Sequence, residues 1–98
     1  MAETEMITPQ IVEEFMLRMH LDYDEDGNLE RILKASYADL RRRCGDYELI
    51  DETFKELVFE RSRYAYNDAL EYFSDNFLTE INNLMLFKAL EGDSDAAE

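Results

Sequence analysis

Residues 60–77, with the turn and a half leading into them, constrain this chain more than any other part of it. Placed on a helix at roughly 100° per residue, the segment shows two apolar faces instead of one. Phe54, Leu57, Val58, Ala65, Ala69 and Tyr72 form one arc, and Phe59, Tyr66, Leu70 and Phe73 form a second. Glu56, Glu60, Arg63, Asn67 and Glu71 fill the polar wedge between them. Such a helix needs cover on both sides. In 98 residues the second stripe is covered either by another segment of the same chain or by a neighbouring subunit. The subunit interface is the reading adopted, because aromatic side chains such as Phe59, Tyr66 and Phe73 are typical interface anchors.

Arg61 and Asp68 fall inside the first arc. Burying either charge alone is costly. They are therefore expected to bond each other, backbone carbonyls or a neighbouring subunit.

The rest of the chain reads as helices around this one. Thr8 is a good N-cap and Pro9 suits the first helical position. Ile11, Val12, Phe15, Met16 and Met19 then give a first helix its buried stripe, ending near His20. A second helix runs from Asn28 or Leu29 to Cys44, with Leu29, Ile32, Leu33, Ser36, Tyr37, Leu40 and Cys44 on one side. Gly45 closes it, and Arg41, Arg42 and Arg43 oppose the dipole in its last turn or pair with excess carboxylates. Asp51 caps the third helix, which is expected to run to about Phe73. Ser74-Asp75-Asn76 is a turn. Phe77, Leu78, Ile81, Leu84, Met85, Phe87 and Leu90 suit a short fourth helix. The fold class expected is all-α: a single domain over residues 1–90, a bundle of about four helices with a long third one. Residues 91–98 are small and acidic and read as a disordered tail.

Charge narrows the function. With 24 acidic and 10 basic side chains the net charge is −14, a field that repels nucleic acid. Cys44 is the one cysteine, so neither an internal disulfide nor a Cys-based zinc site forms. The opening residues lack the basic start and apolar centre of a signal peptide, and no run approaches membrane-spanning length. Folding inside the cell and no membrane contact are the expectations.

The acidic loop after the first helix imitates a calcium site. Asp22-x-Asp24-x-Asp26-Gly27-x-Leu29 matches the first eight positions of an EF-hand loop. The twelfth position, where a bidentate Glu belongs, is Leu33, which also belongs to the apolar stripe of the second helix. A solvated interhelical loop is the reading adopted. His20, the sole histidine, lacks Cys or His partners and reads as a surface residue at a helix end. No Gly-rich phosphate loop or nucleophile elbow occurs, and carboxylates are too frequent for a general acid-base pair to stand out. Neither catalysis, cofactor nor metal is expected.

Arg61-x-x-Tyr64-x-Tyr66-Asn67-Asp68-x-Leu70-x-Tyr72-Phe73 leads into Asn76-Phe77-Leu78-x-Glu80-Ile81-x-x-Leu84. With the Thr-Pro-capped opening helix, the acidic loop, the run from Leu29 to Tyr37 and the closing Gly45, this resembles the small head-tail connector (adaptor, or head-completion) proteins of long-tailed bacteriophages. The resemblance covers roughly residues 7–90, and its specific part is the Arg-Tyr-x-Tyr-Asn-Asp-Ala-Leu-Glu-Tyr-Phe run. It implies a helical virion subunit that forms a ring, dodecameric like the portal, beneath the portal protein at the head vertex. Such a ring is assembled in the host cytoplasm, extends the DNA exit channel without binding DNA specifically, and docks the stopper or tail-completion protein after packaging. On this chain it implies subunit packing through Phe59, Arg61, Tyr66, Asp68, Leu70 and Phe73. It implies portal contact through Leu78, Ile81, Leu84 and Phe87. The alternative is a small acidic regulatory protein that binds a host partner, as a DNA mimic or a degenerate EF-hand-like sensor.

Overall fold

Two of the main helices start at side-chain caps that the sequence marks. The Thr8 Oγ1 accepts the Ile11 N–H at 3.3 Å, with Pro9 in the first turn, and the Asp51 carboxylate accepts the Phe54 N–H at 3.0 Å. The computed structural model of the chain describes residues 7–97, with the side chains of residues 25 and 92–97 excepted. It contains α1 (Pro9–Met19), α2 (Asn28–Cys44), α3 (Glu52–Tyr66), α4 (Phe73–Asn76) and α5 (Leu78–Ala97). Single 3₁₀ turns lie at Glu25–Gly27 and Leu70–Tyr72, and no strand occurs among the described residues. The all-helical class is as expected. The expected tail, residues 91–98, falls mostly on side chains outside the described residues, while the backbone of α5 stays helical to Ala97.

The core is a layered contact of α2 and α3 closed by α1 on one side and by α4 and α5 on the other. Leu33, Leu40, Phe54 and Val58 are fully buried at its centre. α1 lays Phe15 against Phe59, ring centroids 5.5 Å apart. Its outer edge is tied to α3 by Lys55–Glu14 at 2.9 Å and by Arg18 to both Glu56 and Glu60. These pairs advance together along both helices, so α1 and α3 run in the same direction.

α5 docks on the end of α2. Ile81 and Leu84 are buried there, and the Tyr47 hydroxyl donates to the Leu84 carbonyl at 2.8 Å while its ring stacks on Phe54. Gly45 permits the approach. Its φ is 117°, and a Cβ there would lie 2.6 Å from Cγ of Lys88. That lysine in turn places its ammonium 4.4 Å from the Tyr47 ring centroid.

The third helix is shorter than its pattern suggests. It ends at Tyr66, and Asp68 takes a left-handed conformation with φ 61°. Asn67 and Asp68 are the cause, since short polar side chains bond the backbone in competition with the helix and tolerate positive φ. The Asn67 Nδ2 donates to the Arg63 carbonyl at 3.0 Å, and the Ala69 N–H closes the helix on the Tyr64 carbonyl at 2.8 Å. The chain then turns back. Phe73 and Phe77 stack with centroids 5.1 Å apart, and Tyr64 meets both edge-on at 5.8 Å.

Candidate functional site

The reversal after Tyr66 redistributes the second apolar stripe. Phe59 and Phe73 are buried at 4% and 1% exposure, Phe59 against Phe15 and Phe73 against Tyr64 and Phe77. Within the monomer these two side chains pack against their own chain, which corrects the expectation of one continuous stripe waiting for a neighbour. Tyr66, the last residue of α3, and Leu70, past the break, are exposed, and so is Asp68.

Arg61 and Asp68 do not meet. The Arg61 Nε lies 3.2 Å from the Asp39 carboxylate of α2, and its Nη1 donates to the Ser36 Oγ at 3.1 Å. The Ser62 hydroxyl, fully buried, lies 2.9 Å from the Ser36 Oγ and donates to the Val58 carbonyl at 2.8 Å. A small polar layer thus crosses the α2–α3 contact with its groups satisfied. Asp39 also collects Arg42 at 3.0 Å and Arg43 at 3.4 Å, while Arg43 reaches the Ser74 Oγ at 2.9 Å and Arg41 pairs with Asp46. The arginine cluster therefore tethers the end of α2 to its surroundings, as the excess of carboxylates suggests. Nothing in the sequence marked Asp39 as the hub, because its partner Arg61 is 22 positions away on another helix.

The EF-hand-like loop is organised around a helix cap. The Asp24 carboxylate accepts the Leu29 N–H at 2.6 Å and the Glu30 N–H at 3.3 Å, so it faces the positive end of α2. Asp26 and Gly27 both have positive φ, and the Asp26 carbonyl accepts from Arg31 at 2.9 Å. Leu33 is fully buried. Among the described residues no group of three or more His, Cys, Asp or Glu side chains is arranged to hold a metal ion. A hollow of about 510 Å³ beside this loop is lined by His20, Asp22, Asp26, Arg31 and Tyr66 among others. Burial pushes the Cys44 thiol above its ordinary value, against the pull of Arg43, which keeps the group protonated and unreactive.

Of the residues expected to contact a portal, Ile81 and Leu84 are each 4% exposed and belong to the intramolecular core. This is the correction to that set within the monomer: they anchor α5 to α2, with the Leu84 carbonyl held by Tyr47. Leu78 and Phe87 are exposed, at 51% and 60%. Beyond the anchor α5 exposes further apolar side chains: Met85, Leu86 and Leu90 are about as exposed as Phe87. No helix of the described residues is long and apolar enough to cross a membrane.

Comparison of the chain with protein-family profiles, with curated proteins and with solved structures finds no match.

Proposed function

We propose that this chain is a structural subunit of a phage head-tail connector, without catalysis or cofactor. It forms a ring under the portal that extends the DNA exit channel and links head to tail after packaging. The observation that carries this reading is the outer half of α5. Exposed apolar side chains in a contiguous set mark interaction surfaces, and Met85, Leu86, Phe87 and Leu90 form one on a helix held rigidly by Ile81, Leu84 and Lys88. In this reading Leu78, Phe87 and their neighbours meet the portal. Tyr66, Asp68 and Leu70 on the broken end of α3 pack subunit against subunit. The acidic residues from Glu91 onward give the end of the chain its negative charge.

Two further features favour the reading. The Arg61 to Leu84 run resembles the connector family, and the −14 charge suits a channel part past which DNA slides. A virion location follows. Quantitative mass spectrometry of purified particles tests it: equal numbers of this chain and portal subunits are expected, and absence of the chain from tailed particles contradicts the proposal.

A further inference from the structure

Two adjoining hollows lie between α3 and α5, of about 340 and 460 Å³, and they share Thr53 and Glu80. Together they form one groove running beside α5 from Phe77 to Glu91, about 21 Å at 1.5 Å per residue. Its exposed apolar surface is chiefly Phe87, 60% exposed, with half-buried Phe77, over Leu57 and Leu84, which are buried beneath. Its rim is acidic: Glu52, Glu56 and Glu60 follow one another at four-residue spacing on α3, and Glu80 and Glu91 face them from α5. No lysine or arginine lines either hollow.

The rim is only partly neutralised. Glu56 and Glu60 are met from outside by Arg18, Glu60 also by Arg63, Glu52 by Lys55 at 3.9 Å and Glu91 by Lys88 at 3.5 Å. Glu80, at the junction of the two hollows, makes no ion pair among the described residues, although it is exposed and free to accept one. An apolar floor between acidic walls selects for an apolar stripe flanked by cations. We infer that the α3–α5 groove docks an amphipathic helix of a partner protein, apolar at i, i+3 and i+4 and flanked by lysine or arginine. The inference stands whether or not the partner is part of a virion.

The test uses the full chain and a designed helical peptide of about 14 residues, the length that spans the groove, with leucines on one face and lysines beside them. Titration is followed by fluorescence anisotropy and by backbone amide shifts. Binding is expected to move the amides of Thr53, Leu57, Glu80 and Phe87, and to weaken as salt is raised. Glu80→Lys and Phe87→Ser should each lower affinity about tenfold or more, since one removes the wall charge and the other the floor. Glu71→Lys makes the same charge change outside the groove and should cost less than about threefold. A peptide with glutamates for lysines should not bind. The inference is overturned if the lysine peptide does not bind, if Glu71→Lys weakens it as much as Glu80→Lys, or if the shifts map elsewhere. It is also overturned if the groove amides shift with concentration of the chain alone, which assigns the groove to self-association.

Discussion

At the scale of single residues, the structure turns on polar side chains whose partners are distant in sequence. Asp24 looks like a calcium ligand by spacing and is a helix cap by geometry, since both of its oxygens accept amides from the first turn of α2. Asp24→Ala should destabilise the chain by about 1 kcal/mol, the usual cost of a lost cap, and Asp24→Asn by less, as measured by urea denaturation. Calcium at millimolar concentration should give no heat with the unmodified chain. A calorimetric binding isotherm would restore the metal reading.

Glu60 carries the pH dependence most clearly. Burial works to raise its pKa, but hydrogen bonds from Arg63 and Arg18 outweigh burial and hold it below the ordinary 4.5. A carboxylate with a lowered folded-state pKa contributes stability above its unfolded value and loses it as pH falls through the folded one. Glu60→Gln should therefore be less stable than the parent at pH 7. The gap should close as pH falls from about 4.5 downward, which pH-resolved denaturation measures. A gap that stays constant to pH 2 would show that the Arg18–Glu60–Arg63 arrangement adds nothing in solution.

At the scale of elements, the starts of the helices were legible and the end of α3 was not. Thr8 and Asp51 act as their residue types suggest, because caps are local devices, and Gly45 ends α2 as expected, though with φ 117° and ψ −170° and not in the left-handed helical conformation. The apolar spacing from Phe54 to Phe73 continues through Asn67-Asp68, so periodicity alone draws one long helix. What ends it is local bonding by Asn67 together with the gain from bringing Phe73 back onto Tyr64 and Phe77. The second stripe was likewise visible, but its cover was not, since that depends on how α1 and α4 pack in space. Phe73→Ala should cost about 3–5 kcal/mol, as for a fully buried Phe. Leu70→Ser, on an exposed side chain, should stay within about 0.5 kcal/mol. Equal costs would mean that the backbone does not turn back after Tyr66.

For the whole molecule, α5 sets the shape. The radius of gyration is 14.3 Å and the extents are 49 × 31 × 18 Å, against about 13 Å expected for a compact chain of this length. The excess fits a helix anchored near its start and carrying apolar side chains outward from there. The four-helix estimate from sequence came close because Leu78 to Leu90 is strongly apolar. Sequence did not separate Ile81 and Leu84, which hold α5 down, from Phe87 and Leu90, which stand clear. That division depends on where α2 ends, at Cys44 and Gly45, and so on tertiary contact.

Gradient co-sedimentation with the portal protein encoded in the same genome, run with the parent chain and with a Phe87→Ser, Leu90→Ser double variant, tests the central claim most directly. The account predicts that the parent co-migrates in equal subunit numbers, while the variant is folded by circular dichroism yet remains at the top of the gradient. A parent chain that stays apart from the portal with both proteins folded, or a variant that co-migrates undiminished, would contradict it.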